Sequence, residues 1–244
     1  QSIAAVAQMR AGEQLPRQPW LPPLPARLTL DEIRASSKTS EGDENIGRSG
    51  VLLGMLDEPD QQRRRSWRFA PARDRSLLVL GAGGSGRSTL LRVAAAQAPG
   101  ALWLPSDPEH GWDVLEDLAR GRKQCTLLLI DDVDTLLAGL GDEYAILALS
   151  RVEAILRAGR AGVIATGRRL AGPLARIAEL FAQRAVLPQP TRTEFAHSGG
   201  DSAAYIPQLP PGRAWINGLF AQVALPPTED ANQARSNSDE QWEH

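Results

Sequence analysis

Apolar residues fall in short runs of strand length, separated by polar stretches that carry glycine and proline and interleaved with segments of helical periodicity. Strands are predicted at 51–56, around 67–69, and at 77–80, 101–104, 126–130 and 162–167. A further strand at 184–187 is short and is assigned to a sheet edge. Helices are predicted over 87–98, 108–120 and 142–157. In the last of these Ile146, Leu149, Val152, Ile155 and Leu156 recur at helical spacing and are assigned to the core. Residues 170–183 are helical in pattern apart from Pro173. Asn217-Gly218, between the apolar runs 213–216 and 219–225, is the strongest short-range signal for a β-hairpin. Strands alternating with helices in this order predict an α/β domain around a mostly parallel central sheet, closed by a C-terminal hairpin.

The ends differ in texture. Residues 1–10 are alanine-rich and helix-capable, and 16–25 are too proline-rich for regular hydrogen bonding, so an extended strap is expected. Thr29-Leu30-Asp31-Glu32 matches a capping box that opens a short helix. The division that follows is a strap and helix at 1–35, a flexible linker of Ser, Gly and charge at 36–50, the domain at 51–225, and a polar, disordered tail at 226–244. The chain starts at Gln1 without a methionine, which is expected of a fragment of something longer.

Two motifs bring chemistry into this frame. Residues 77–80 break into Gly81-Ala82-Gly83-Gly84-Ser85-Gly86-Arg87-Ser88-Thr89, a glycine-rich turn that restarts as a helix. Such a turn aims successive backbone N–H groups inward at the positive end of a helix, and an anion belongs there. The phosphate-loop pattern is met by Gly81, Gly86 and Ser88, but its lysine position holds Arg87. Arginine keeps the charge and replaces a compact ammonium with a broad planar fork. Residues 126–130 then form an apolar run ending in Asp131-Asp132, as a buried parallel strand does. Here Asp131 with the Ser88 hydroxyl is the candidate Mg²⁺ pair, and Asp132 the candidate acid for polarising water. Thr166 ends a later strand, where it either senses a γ-phosphate or water or caps the strand. One strand lies in sequence between the two motifs, the mark of the RecA-like ATPase branch of P-loop proteins, a three-layer sandwich.

Composition narrows the picture. Of 244 residues, 42% are apolar and 23% charged, the balance of an ordinary globular protein. The net charge of −2 gives no basic field to attract nucleic acid, and the cluster Arg63-Arg64-Arg65 with Arg68 is read as a solvated face or interdomain contact. Cys125 is the sole cysteine, which excludes an internal disulfide and fits a cytoplasmic setting. The three histidines, His110, His197 and His244, show no metal-ligand spacing, and no apolar stretch approaches the ~20 residues needed to cross a bilayer.

Several stretches in order resemble an ATPase module of the FtsK/SpoIIIE superfamily, and within it a late, degenerate module of the EccC/EssC translocase of type VII secretion. They are 19–24 (Pro-Trp-Leu-Pro-Pro-Leu), 54–62, 85–92, 129–132, 159–166 and 209–214. The Walker motifs alone are generic; the proline-rich start and the Pro-Pro-Gly-Arg hairpin approach are more specific. The resemblance implies ATP or ADP with Mg²⁺ as cofactors and the other ATPase modules of the translocase as partners. It also implies docking of the C-terminal signal of WXG100-type secreted substrates, for which Trp103, Trp112 and Leu136-Leu137 are candidates against a more ordinary core role. Localisation would be the cytoplasmic portion of a membrane-anchored translocase, with no direct membrane contact by this fragment. Arg87 and the short Asp132 imply weak or absent hydrolysis. The alternative is an active secretion or DNA motor completed by a neighbour's arginine finger, for which Arg151, Arg157, Arg160, Arg168 and Arg169 all qualify. An AAA+ initiator and a purely structural domain are the remaining readings.

Overall fold

The computed structural model describes residues 21–38 and 50–227. The expected helix at 1–10, the strap before Leu21, the linker at 39–49 and the tail beyond Pro227 lie outside the described residues.

The capping box forms as expected. Thr29 Oγ1 accepts from the Glu32 amide at 3.3 Å, while the Glu32 carboxylate accepts from the Thr29 amide at 2.7 Å, opening α1 (Leu30–Lys38). This helix runs past residue 35, where a flexible linker was expected to begin. Its Ile33 is fully buried and packs with Leu24, Leu28, Leu52, Met55 and Val93.

Nine strands make one sheet: β1 (Val51–Glu58), β2 (Arg63–Phe69), β3 (Ser76–Leu80), β4 (Ala101–Trp103), β5 (Leu127–Ile130), β6 (Gly162–Gly167), β7 (Gln183–Val186), β8 (Arg213–Ile216) and β9 (Leu219–Val223). Their spatial order is β2-β1-β9-β8-β7-β3-β6-β5-β4. From β7 to β4 every ladder is parallel, and from β7 outward to β2 every ladder is antiparallel. The sheet is therefore parallel in its core, and the strands before the glycine loop form with the terminal hairpin an antiparallel wing. The placement of β7 corrects the expected edge strand: it is hydrogen-bonded to β3 on one side and β8 on the other. Its half-buried Gln183 and Arg184 hide that position in the sequence, while Ala185 and Val186 are buried.

Period-two side-chain alternation sends the two halves of each central strand to opposite faces. Leu78 and Leu80 of β3, with Leu128 and Ile130 of β5, pack on α4 (Pro108–Ala119), α5 (Val133–Ala158) and α6 (Gly172–Ile177). Leu77 and Val79, with Leu127 and Leu129, face α3 (Arg87–Ala95) through Leu90, Leu91 and Ala94. Each fully buried leucine contributes about 1.5–3 kcal/mol. Two short helices, α2 (Pro71–Asp74) and α7 (Arg192–His197), complete the fold.

The helix expected over 142–157 forms as the second part of α5, which begins at Val133 and is broken at Gly141 (φ 73°, ψ 165°); the turns before the break were not expected. Leu149, Val152 and Ile155 are core, but Ile146 is 57% exposed, so its assignment to the core is corrected. Its spacing is helical, yet it lies on the outer side beside exposed Tyr144 and Leu147. The hairpin turns at Asn217 (φ 50°) and Gly218 (φ 82°), the two left-handed residues that the Asn-Gly pair anticipates.

Candidate functional site

β3 and β5 end on the same side of the sheet with β6 between them, and this order brings both motifs together at the strand carboxyl ends. The Gly81 amide donates to the Gly167 carbonyl at 3.1 Å, and that of Ala82 to the Pro188 carbonyl at 3.1 Å. Gly81 is buried and packed so closely against Ser85 and Leu187 that it has no room for a Cβ. Gly84 (φ 74°) and Gly86 (φ 105°) occupy left-handed conformations open to glycine, and Gly86 stands at the start of α3. Gly83 and Gly84 are exposed, whereas Ser85 is buried with its hydroxyl oxygen unpartnered. Arg87, Ser88 and Thr89 follow, half-buried, in the first turn of α3.

At the end of β5, fully buried Thr166 joins the two aspartates. Its hydroxyl donates to Asp131 Oδ1 at 2.7 Å and accepts from the Asp132 amide at 2.8 Å. One hydroxyl thus orients one carboxylate and holds the turn into α5, where Asp132 adopts φ 50°. Arg87 Nη2 donates to Asp132 Oδ2 at 3.4 Å, and Arg168 Nε approaches the same oxygen at 3.6 Å. Arg87 Nη1 and Asp132 Oδ1, both buried, have no partner. Buried polar atoms are rarely left so, and three of them, counting the Ser85 hydroxyl, cluster at this loop.

Of the arginines weighed as fingers, Arg168 is the one placed at these residues within the chain. Arg151 pairs with Glu116 and lies over Trp112, and Arg157 pairs with Glu153. Among the apolar candidates, Leu136 and Leu137 are core, and Trp112 packs edge-on against Tyr144. Trp103, 37% exposed on β4, lines with Leu136, Asp131 and Asp132 a groove of about 480 Å³.

A second cavity of about 480 Å³ was missed in the sequence. Its floor is Ala82–Ser85 and its walls come from the loop after β7, including Gln189, Tyr205 and Leu209. That loop has irregular backbone and no periodicity, and its only sequence signal is the recurrence of proline at 188, 190, 207, 210 and 211. Asp134 was also missed; it accepts the Arg168 amide at 2.7 Å and so fixes the end of β6.

A glycine loop between a buried parallel strand and a helix, with paired carboxylates on a strand two places away, defines a RecA-like P-loop ATPase fold. Within that class the chain is similar to the EccC/EssC ATPases of type VII secretion. It is 35% identical over 96 residues to the ESX secretion system protein EccC of Thermomonospora curvata, a match covering 36% of this chain and 7% of that protein's length. The solved structure of T. curvata EccC (ATPases 2 and 3), in complex with a signal sequence peptide, superimposes with TM-score 0.63 at 20% identity, over 86% of this chain and 50% of that one. EssC (ATPases 2 and 3) from Geobacillus thermodenitrificans gives 0.55 at 20% identity, over 89% and 50%. No protein-family model matches the chain. Among the described residues, no helix is long and apolar enough to cross a membrane.

Proposed function

We propose that this chain is a degenerate nucleotide-binding module of a type VII secretion translocase, one that holds ATP or ADP with Mg²⁺ and turns it over slowly or not at all. The observation that carries the reading is the Arg87–Asp132 pair. The cation at the lysine position is drawn onto the carboxylate that a hydrolytic site needs free to polarise water.

The residues fit the nucleotide. The amides of Gly83, Gly84 and Gly86 to Ser88 and the unpartnered Arg87 Nη1 suit phosphate oxygens, the Ser85 amide being engaged by the Ala82 carbonyl at 3.2 Å, while Ser88 and Asp131 would hold Mg²⁺. Asp131 spends one oxygen on Thr166 and keeps the other for the ion. When bound, Mg²⁺ would neutralise charge on the terminal phosphates. Asp132, shared between Arg87 and Arg168, is held by two guanidinium groups where a hydrolytic site needs it turned to an attacking water. Thr166 serves here as a positioning residue for both aspartates.

On this reading the module regulates the translocase or docks its secreted substrates, through contacts with sister ATPase modules and the C-terminal signal of WXG100-type proteins, on the cytoplasmic side. The signal sequence peptide bound to T. curvata EccC supports the docking role. The test is equilibrium binding of a fluorescent ATP analogue with Mg²⁺, run beside phosphate release, on the unaltered chain and on Arg87→Lys and Arg87→Ala. Binding with negligible release, and a gain of release in Arg87→Lys, is expected. Brisk release from the unaltered chain would make it a motor, and no binding would leave a scaffold.

A further inference from the structure

At the amino ends of β5 and β6, the opposite end of the sheet from the glycine loop, several chain segments converge on a cavity of about 310 Å³. Leu118 comes from the end of α4, Ile155 and Ala158 from the end of α5, Lys123 and Cys125 from the approach to β5, and Arg160 from the approach to β6. Its floor is apolar: Leu118 and Ile155 are buried, and the half-buried Cys125 packs on the same core. Its rim is cationic. Nearby arginines are each matched by a carboxylate, Arg120 by Glu116 at 2.5 Å, Arg122 by Asp117 at 2.8 Å and Arg157 by Glu153 at 2.8 Å. Among the described residues Lys123 and Arg160 have no such partner. The last carbonyls of α4 do not draw on them either. Those of Glu116, Asp117 and Leu118 accept the backbone amides of Arg120 at 3.0 Å, Arg122 at 2.8 Å and Gly121 at 3.1 Å. Burial pushes the Cys125 thiol up, and the Lys123 ammonium pulls it part of the way back, so that charge is felt inside the cavity.

We propose that this cavity binds a small amphiphilic carboxylate, its apolar body on Leu118, Ile155 and Cys125 and its head between Lys123 and Arg160. Both ends of such a ligand find what they need there. The body removes apolar floor from water, and the head supplies the negative charge that the two unmatched cations lack. A neutral compound of the same length leaves the cations unmatched, and a shorter acid leaves part of the floor wet. The volume lies at the lower end of the roughly 300–1,000 Å³ of small-ligand sites, which suits a medium-chain acid such as octanoate. None of these residues belongs to the glycine loop or the aspartate pair, so the proposal stands apart from the nucleotide reading.

Cys125 is the sole cysteine, so alkylation of the intact chain by iodoacetamide at fixed pH reads this cavity alone. Octanoate below its micellar concentration is expected to slow the reaction severalfold, with calorimetric titration giving its affinity. Hexanoate, two methylenes shorter, should bind about tenfold more weakly. Octanol, which keeps the chain and loses the charge, should also bind about tenfold more weakly. Lys123→Gln combined with Arg160→Gln, both at exposed positions, should weaken octanoate about tenfold and leave octanol unchanged. Octanoate that neither protects Cys125 nor gives a heat of binding overturns the proposal. Octanol binding as tightly as octanoate, or full octanoate affinity in the double variant, overturns it by removing the cations from the site. Hexanoate binding as tightly as octanoate overturns it by removing the apolar floor.

Discussion

The Gly212 amide donates to the Ser85 carbonyl at 2.7 Å, tying the glycine loop to the approach of the C-terminal hairpin. Gly212 sits at φ 81°, and a Cβ there would lie 2.7 Å from Gln222 Nε2. The two chain segments are 127 residues apart by their numbering, 212 less 85. Gly212→Ala is expected to lower stability by about 2 kcal/mol through left-handed strain and displacement of Gln222. Urea unfolding measures that loss, and weaker nucleotide binding should accompany it.

Asp132→Asn should tighten nucleotide binding. In the unaltered chain Arg87 must leave a half-buried carboxylate to meet phosphate, and such an ion pair opposes the move by about 1 kcal/mol. Removing the charge is expected to improve affinity roughly fivefold, since 1.4 kcal/mol is a factor of ten. Fluorescence titration of the variant beside the unaltered chain measures it. An unchanged or weakened affinity would show that Arg87 already serves the phosphate while paired.

Thr166→Val keeps the side-chain shape and removes the hydroxyl shared by Asp131 and the Asp132 amide. Both partners are then left wanting in a buried place, for a loss of about 1–3 kcal/mol. Thr166→Ser retains the hydroxyl and should lose less than half of that in the same denaturant measurement.

How far the sequence alone reaches differs from element to element. Glycines at 81, 84 and 86 and the run into Asp131-Asp132 announce the site because each demands a backbone or burial that few other residues satisfy. Asn217-Gly218 announces its hairpin for the same reason. The interior position of β7 is hidden by Gln183 and Arg184, whose polar character mimics an edge. Ile146 misleads because helical spacing does not specify which side of a broken helix faces outward. The cavity beside the glycine loop is walled by irregular loop, where no period exists to detect, and the Arg87–Asp132 contact joins residues 45 apart that only the strand order brings together.

Glu58 gives a pH dependence. Burial would raise its carboxyl, but hydrogen bonds and charge from Arg63, at 2.5 Å, and Arg65 together outweigh that, and its pKa lies below the usual value. A depressed folded-state value adds stability above the unfolded pKa of about 4.3 that is lost as pH falls through the lower folded value. Glu58→Gln should therefore narrow the stability difference between pH 7 and pH 3, measured by thermal unfolding across that range.

Arg213 holds the strap. Its Nη2 donates to the Leu24 carbonyl at 2.7 Å and the Pro25 carbonyl at 3.2 Å, and its Nε to Gln222 Oε1 at 3.0 Å. Arg213→Ala is expected to free residues 21–28 and to speed tryptic cleavage at exposed Arg27 about tenfold, as the local opening becomes cheaper by one charged hydrogen bond or more. Arg213→Lys should fall between, since an ammonium replaces only part of the fork.

The two margins of the sheet bear on how the molecule behaves at high concentration. An open strand edge is a template on which another chain can add and begin a fibril. On one margin β4 is three residues long and runs into Pro105, too brief to recruit a neighbour. On the other, β2 carries Arg63, Arg64, Arg65 and Arg68, of which the first three pair with only two carboxylates, Glu58 and Asp57, so a second molecule aligning there would still bring an excess of positive charge together. The arginine run that looked in the sequence like a solvated face thus also acts as a barrier to edgewise self-association, allowing a nine-stranded sheet to remain unextended.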